Sequence, residues 1–250
     1  MVTKETLINS IFYPRRHHSK DEKDLFINSS DNTSISARFF IKDKSYPTIL
    51  FFHGNAEIAQ DYDDIATYYN QHGMNLIVSD YQGYGLSEGS PTKDNLHSDA
   101  LAIFDFAKEY MNKNNLTNKL IPMGRSLGSA SVAHIMANRL DSLHGSIIES
   151  GFATEYPLLS LMNINPDDIS FKLSDGFDNL RKFKAYNKPL FVIHADLDDI
   201  VPMSQADMIM IESNASSKEL FKVNGANHNN ILMYARDEYF TKIKSFIDSL

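Results

Sequence analysis

The chain has 250 residues, of which 42% are hydrophobic and 22% charged, a composition typical of a globular protein that buries a large core. The formal net charge of −8 argues against a nucleic-acid-binding protein, because such a protein needs clustered Lys and Arg. Cysteine is absent, which excludes disulfides, thiolate metal sites and a cysteine nucleophile. No run approaches the roughly 20 apolar residues of a membrane-spanning helix, and the first residues lack the apolar core of a signal peptide. We therefore expect a cytoplasmic protein without an integral membrane segment.

Short apolar, β-branched or aromatic runs alternate with longer amphipathic stretches along the chain. The first two runs, DLFINSS and ISARFFIK, flank a turn and predict an antiparallel pair of strands. Six further runs show little alternation, which is typical of strands buried on both faces of a parallel sheet. These runs are TILFFHG, NLIVSDYQG, KLIPMG, GSIIES, PLFVIHAD and KELFKVNG. Between the runs, helices are predicted over 58–71, 96–112, 127–140, 204–212 and 231–250.

This order of elements predicts one domain over residues 1–250, of the α/β class, with a mostly parallel eight-stranded sheet and helices on both faces. Residues 153–180 interrupt the alternation, since they contain two prolines and no clear strand. Four apolar residues give the segment an apolar side: Leu158, Leu159, Met162 and Phe171. The segment is too short for a domain, so we predict a short lid. A helical excursion that only covers the core explains the same pattern.

The stretch GRSLGS, residues 124–129, places Ser126 between Gly124 and Gly128. The pattern is short and occurs often by chance, so its context decides its meaning. Here a predicted strand ends just before the serine and a predicted helix begins just after it. Such a turn holds a hydroxyl up to solvent, and the helix points its positive end at the place where an oxyanion would form. We therefore predict that Ser126 is a nucleophile.

A serine hydroxyl needs a base, and the base needs an acid that orients it. In this architecture the acid follows a later strand and the histidine comes last. The stretch HADLDDIVP follows the seventh predicted strand and offers Asp196, Asp198 and Asp199. The stretch GANHNN follows the eighth and offers His228.

With these motifs in this order, the chain resembles the α/β-hydrolase superfamily, in its lid-poor serine-hydrolase branch of small esterases and protein depalmitoylases. The matching pieces run from FFHGNAE through DYQGYGLSEGSP, GRSLGS, ESGFAT and HADLDDIVP to GANHNN. The resemblance implies that Ser126 is the nucleophile, His228 the general base and Asp198 the acid. Asp198 is favoured because it stands three residues before a Val-Pro pair, as in the family's pattern, while Asp196, Asp199 and Glu149 remain alternatives.

The resemblance also implies an oxyanion hole, formed by the backbone N–H groups of Asn55 and Leu127. Phe152 is expected to line the acyl pocket, although packing in the core is an equal alternative for its ring. His53 lies upstream of the nucleophile and is not expected to be the base. No cofactor and no metal are implied.

These roles predict a carboxylesterase that acts on small-molecule esters with short to medium acyl chains. The alternative is a thioesterase or a lipid or protein deacylase. A serine peptidase fits less well, because nothing in the chain resembles an added domain that would gate peptide entry. A non-catalytic binding module also fits less well, because all three triad residue types are present. The sequence makes no prediction of the oligomeric state.

Overall fold

The structure is a computed structural model that describes residues 3–116 and 118–250. Within these residues eight strands form one sheet, in the order β1-β2-β4-β3-β5-β6-β7-β8. The strands are β1 Asp24–Asn28, β2 Ser34–Phe40, β3 Thr48–Phe52, β4 Asn75–Ser79, β5 Leu120–Arg125, β6 Ser146–Glu149, β7 Leu190–Ala195 and β8 Lys218–Val223. β2 pairs antiparallel with β1 and with β4, and the other five pairs are parallel. The mostly parallel eight-stranded sheet with an antiparallel start is therefore confirmed.

The described residues contain the five predicted helices, with ends that shift by a few residues. The α-helices are α1 Lys4–Asn9, α2 Asp63–Gln71, α3 Lys93–Asn114, α4 Gly128–Asn138, α5 Tyr156–Leu161, α6 Asn179–Ala185, α7 Met203–Glu212, α8 Ile231–Ala235 and α9 Asp237–Asp248. The helix predicted over 231–250 is two helices, because Arg236 between them has a left-handed φ of +49°. The sequence predicted neither α1 nor α6. Among the helices that the structure describes, none is long and apolar enough to cross a lipid bilayer.

The core lies on both faces of the sheet. Every residue of β3 is buried, and its side chains point alternately to the two faces of the sheet. Leu50 and Phe52 pack on one face with α3, α4, α6 and α7. Ile49 and Phe51 pack on the opposite face with α2, α8 and α9. Because both faces are covered, the strand sequences do not alternate between apolar and polar residues.

Residues 153–180 form α5, two turns of 3₁₀ helix at Asp167–Ile169 and Leu173–Asp175, and the start of α6. Leu159, Phe171 and Phe177 are buried in the cluster on the α3 and α4 side, so the segment is anchored to the core. The loops that follow β3, β5, β7 and β8 all leave the carboxyl edge of the sheet. In open α/β sheets this edge is where ligands bind.

Candidate active site

Ser126 stands on a sharp turn between β5, which ends at Arg125, and α4, which begins at Gly128. Its φ is +50°, a left-handed conformation that costs a residue with a side chain about 1–3 kcal/mol. The turn is held from two sides: the Ser126 N–H donates to the Glu149 carbonyl oxygen at 2.9 Å, and the Ser129 hydroxyl donates to the Ser126 carbonyl oxygen at 2.6 Å. Ser126 is 8% exposed, so the hydroxyl lies in a cleft rather than on an open surface.

Close backbone approaches explain the two glycines that flank Ser126. A Cβ at Gly128 would lie 2.0 Å from the Phe52 carbonyl oxygen, and one at Gly124 would lie 2.3 Å from the Gly128 carbonyl oxygen. Carbon and oxygen atoms cannot approach so closely without displacing backbone, so any larger residue would push α4 away from β3 and β5. The glycines therefore keep the start of α4 against the end of β3, where Asn55 follows.

His228 and Asp198 meet at the carboxyl edge, from the loops after β8 and β7. The imidazole Nδ1 lies 2.8 Å from Asp198 Oδ2 and 3.0 Å from Oδ1. Asp198 Oδ1 also accepts the N–H groups of Ile200 and Val201 at 3.1 and 2.7 Å. With Nδ1 bonded to the carboxylate, the Nε2 atom of His228 is free to take a proton.

The pKa of Asp198 is lowered from its ordinary value by its partners. Burial by itself would raise this pKa, but the hydrogen bond and charge of His228 and the Val201 N–H lower it by more. Asp198 is therefore ionised at neutral pH, and it can both orient the imidazole and stabilise the imidazolium that forms when Nε2 accepts a proton.

The other candidate acids have different surroundings. Asp196 Oδ1 accepts the Gly225 N–H at 2.6 Å, and the Asp199 side chain is exposed. The Glu149 carboxylate lies 3.3 Å from Arg125 Nε and accepts the Tyr239 hydroxyl. Within the described residues, none of these three carboxylates forms a hydrogen bond with His228.

A second buried His–Asp pair lies nearby, formed by His53, which follows β3, and Asp80, which follows β4. His53 Nε2 is 3.2 Å from Asp80 Oδ1, and Asp80 also accepts the Ala59 N–H at 2.9 Å and the Ser36 hydroxyl at 2.6 Å. These bonds tie β2, β3 and β4 together at their ends. His53 is not among the residues that line the cavity at Ser126.

Asn55 and Leu127 both line the cavity at Ser126. In the part of the chain that the structure describes, the backbone N–H of neither residue has an acceptor. The Asn55 side chain is fully engaged instead: its Nδ2 donates to the Ile11 carbonyl oxygen at 2.6 Å, and its Oδ1 accepts the Tyr84 hydroxyl at 2.7 Å. The loop is thus held by a side chain while its backbone donor stays available, as an oxyanion hole requires.

The cavity has a volume of about 330 Å³, which is within the range of small-molecule sites. Ser126, His228, Asn55 and Leu127 lie on its polar side. Six apolar side chains form another part of its wall: Ile11, Phe152, Leu158, Leu161, Met162 and Ile200. The described contacts include no hydrogen bond between the Ser126 hydroxyl and the imidazole of His228, and such bonds often form only when substrate is bound.

Phe152 both lines the cavity at Ser126 and packs in the core. Its ring lines the cavity and is fully buried, with the ring centroid of Phe177 at 5.8 Å. The sequence did not predict that Ile11 and Tyr13, before the first strand, would line the same cavity. The signal was indirect, because tertiary contacts hold this segment in place, such as the bonds of the Asn55 side chain to the Ile11 carbonyl oxygen and to the Tyr13 N–H. Nor were Glu57 and Arg125 predicted at the site, although both lie in its quoted motifs.

Comparisons with known proteins agree with this architecture. A family model described as "Serine aminopeptidase, S33" matches residues 43–164. The chain is 31% identical over 209 residues to alpha/beta hydrolase domain-containing protein aho-3 of Caenorhabditis elegans. This alignment covers 82% of this chain and 58% of that protein. It is 29% identical over 205 residues to alpha/beta hydrolase domain-containing protein 17C of Homo sapiens, covering 80% and 57%. The chain thus spans about three fifths of the length of the curated relatives it matches.

Solved structures share the fold at low sequence identity. The esterase Pf2001 of Pyrococcus furiosus gives a TM-score of 0.76 at 19% identity, covering 94% of this chain and 98% of that one. Est1E from Butyrivibrio proteoclasticus, with ferulic acid bound, gives a TM-score of 0.73 at 18% identity, covering 90% and 100%. The sheet order, the motifs and these similarities show that the chain belongs to the α/β-hydrolase superfamily.

Proposed function

We propose that this chain is a serine hydrolase that cleaves carboxylic esters with short to medium acyl chains through an acyl-enzyme intermediate. The observation that carries the proposal is the pair of contacts between His228 Nδ1 and the Asp198 carboxylate, at 2.8 and 3.0 Å. This pair lies beside the same cavity as Ser126. In the proposal Ser126 is the nucleophile, His228 the general base and Asp198 the residue that orients it.

In the first step, His228 Nε2 takes the Ser126 proton as Oγ attacks the carbonyl carbon of the ester. The negative charge that develops on the carbonyl oxygen is stabilised by the N–H groups of Asn55 and Leu127, and each such donor contributes about 3 kcal/mol. His228 then protonates the alcohol that leaves, and the acyl group stays on Oγ. In the second step His228 deprotonates a water molecule, which attacks the acyl-enzyme and releases the acid. These steps need no cofactor.

The apolar wall of the cavity supports an acyl group as the part of the substrate that it binds. Leu158, Leu161 and Met162 of this wall come from residues 153–180, so we propose that the segment acts as a short lid over the acyl group. Pocket contacts of this kind discriminate chain length by about 1–3 kcal/mol for each methylene.

A thioesterase or a lipid or protein deacylase is the second candidate, because the same steps release a thiol or a larger alcohol. One observation favours it: Tyr13 and Leu161 line the cavity and are 65% and 56% exposed. Apolar side chains exposed at a cavity mouth suit an acyl chain displayed on a larger molecule. The structural neighbours include a monoacylglycerol lipase of Paleococcus ferrophilus, with a TM-score of 0.66 at 18% identity.

Labelling with a fluorophosphonate probe tests the proposed nucleophile. The wild-type chain should be labelled, Ser126→Ala should not be, and Ser160→Ala, which removes an exposed hydroxyl on α5, should be labelled like wild type. A wild-type chain that is not labelled would indicate a binding module instead.

A substrate panel then separates the candidate reactions. p-Nitrophenyl esters of rising chain length are compared with acyl-CoA thioesters of the same acyl groups. Amino acid p-nitroanilides serve as the peptidase substrates. The proposal predicts the highest kcat/KM with short to medium esters. Faster turnover of thioesters or long acyl chains would favour the second candidate, and turnover of anilides alone would favour a peptidase.

A further inference from the structure

Arg125, the last residue of β5, connects three parts of the candidate site. Its side chain is 13% exposed. Nη1 bonds to Glu57 Oε1, Nη2 donates to the His228 carbonyl oxygen at 2.7 Å, and Nε lies 3.3 Å from Glu149 Oε1. One guanidinium thus reaches the loop after β3, the loop after β8 and the end of β6.

The contact with Glu57 fixes the loop that carries the Asn55 donor. The second oxygen of Glu57 accepts the Gly54 N–H at 2.9 Å and the Tyr62 hydroxyl at 2.6 Å. Burial by itself would raise the pKa of Glu57, but the charge of Arg125 and the hydroxyl of Tyr62 lower it. The position before Asn55 is also shaped around this ion pair, because a Cβ at Gly54 would lie 2.5 Å from Arg125 Nη1.

The contact with His228 holds the backbone of the proposed base. Asp198 binds the imidazole at Nδ1, while Arg125 binds the carbonyl oxygen of the same residue. His228 is therefore fixed at its side chain by one charged group and at its main chain by another.

Glu149 anchors the guanidinium to the turn that carries Ser126. Its carbonyl oxygen accepts the Ser126 N–H, and its carboxylate bonds to Tyr239 and lies against Arg125. Burial disfavours the charge of Arg125, but Glu57 and Glu149 outweigh this effect and raise its pKa. Arg125 is therefore always charged. Its planar fork directs N–H groups from three nitrogens toward three separate acceptors, whereas the three donors of an ammonium group all lie on one atom.

We infer that Arg125 is a positioning residue that sets the distance between the oxyanion donor of Asn55 and the imidazole of His228. The inference rests on the proposed function. Arg125 bonds to Glu57 and to the His228 carbonyl oxygen. It therefore acts through the Asn55 N–H, which stabilises the oxyanion, and through the His228 imidazole, which deprotonates Ser126. Those groups work on the transition state rather than on the bound ester, so losing their alignment lowers kcat and leaves KM nearly unchanged.

The test uses Arg125→Ala, Arg125→Lys and a matched control. The control is Arg139→Ala, since Arg139 also forms a two-pronged ion pair, with Asp105, but does not line the cavity at Ser126. With p-nitrophenyl butyrate, Arg125→Ala should lower kcat by about 100-fold, the loss that follows when an oxyanion donor is misplaced. Arg125→Lys should recover only a small part of this loss, and Arg139→Ala should match wild type.

Rescue by a small cation separates positioning from general stability. Glu57, Arg125 and Glu149 also line a second cavity, of about 250 Å³, so removing the side chain leaves room for a guanidinium ion between the two carboxylates. Millimolar guanidinium should restore at least part of kcat in Arg125→Ala, without changing Arg125→Lys or wild type. The melting temperature is measured for each variant under the same conditions.

Two results would overturn the inference. One is an Arg125→Ala variant that keeps the wild-type kcat. The other is a fall in kcat that follows the loss of folded protein and that guanidinium does not restore, since this indicates a structural role only. If the wild-type chain neither reacts with the fluorophosphonate nor hydrolyses any ester, the proposed function itself fails, and the positioning role fails with it.

Discussion

Two regions border the cavity at Ser126, and each contains a buried carboxyl group with a different environment. Asp198, at the carboxyl edge of the sheet, accepts hydrogen bonds from His228 and two backbone N–H groups, and its pKa is lowered. Glu155 lies in segment 153–180. One of its oxygens accepts the Phe177 N–H at 2.6 Å, and the other has no partner among the described residues. Burial raises the pKa of Glu155 to about 7, against the opposing effects of nearby N–H groups and Lys182.

The difference shows that partners, rather than burial alone, decide whether a buried carboxyl group is ionised. The loops at the sheet edge are fixed by close backbone contacts and by charged hydrogen bonds. Segment 153–180 is fixed by apolar packing and by hydrogen bonds such as those from the Ala153 and Thr154 N–H groups to Gln205 Oε1. Among the described residues, it tolerates a carboxyl group with one unpaired oxygen. We therefore expect changes at the sheet edge to affect the rate of the reaction, and changes in the segment to affect selectivity or stability.

The largest effect is expected for Asp198→Asn. The amide keeps an oxygen for the N–H groups of Ile200 and Val201, so the turn should survive. It cannot hold the imidazole in the correct tautomer or stabilise its charge, so kcat should fall by about 10⁴-fold, as in serine proteases. The control is Asp199→Asn, one residue away and exposed, which should keep wild-type kinetics. Equal losses in the two variants would contradict the assignment of the acid.

Gly128→Ala tests the close packing at the same edge. The added Cβ would lie 2.0 Å from the Phe52 carbonyl oxygen, so α4 must move and carry the Leu127 N–H with it. We expect about a 100-fold lower kcat and a loss of about 1–3 kcal/mol in the free energy of unfolding. In the control Gly145→Ala, the Cβ meets the side chain of Leu250 at 2.9 Å, which can move aside. A Gly128→Ala variant with wild-type kcat would show that this contact does not position the turn.

Met162→Trp tests whether segment 153–180 affects selectivity for the acyl chain. The larger side chain should fill part of the apolar wall of the cavity, so kcat/KM for p-nitrophenyl octanoate should fall about tenfold relative to p-nitrophenyl acetate. Ile211→Trp is the control, since Ile211 is 75% exposed on α7. Equal losses with both esters would argue that the segment does not contact the acyl chain.

Glu155→Gln should change stability without changing the rate. The ordinary pKa of Glu is 4.5, and that of Glu155 is about 7, so an unfolded chain ionises this group more easily than the folded chain. The wild type therefore loses stability as pH rises from about 4.5 to 7, and the loss persists above pH 7. Glutamine does not titrate, so the advantage of the variant in free energy of unfolding should grow by about 3 kcal/mol between pH 4 and pH 8.

Urea unfolding at the two pH values measures this change. The matched control is Glu219→Gln, which removes an exposed carboxylate from β8 and should show no such growth. A Glu155→Gln variant whose advantage does not vary with pH would mean that the pKa of the Glu155 carboxyl group is the same in the folded and the unfolded chain.

Much of the fold could be predicted because buried strands, turns and amphipathic helices leave local patterns in the sequence. The strand runs and the order of serine, aspartate and histidine were visible in this way. The short α1 and α6 were not, because so few residues carry little periodicity. The break between α8 and α9 was also hidden, since Arg236 takes a left-handed φ without a glycine or proline to indicate it.

The candidate site could be predicted only in part from the sequence, because some of its contacts join residues that are distant along the chain. Ser126, Asp198 and His228 follow strands, so their meeting follows from the parallel topology. The ion pair of Arg125 with Glu57 joins residues 68 positions apart, and neither motif indicates its partner. Likewise, Ile11 precedes the first strand, and it lines the cavity where its carbonyl oxygen accepts a hydrogen bond from the Asn55 side chain. Such contacts depend on tertiary structure and leave no local signal.

Trapping the acyl-enzyme would test the central proposal most directly. The chain is mixed with p-nitrophenyl butyrate, quenched in acid within the first turnover, digested and analysed by mass spectrometry. We predict one butyryl group on the peptide that contains Ser126, present in wild type and absent from Ser126→Ala. Hydrolysis that proceeds with no acylated peptide, or with the acyl group on another residue, would contradict the proposed mechanism.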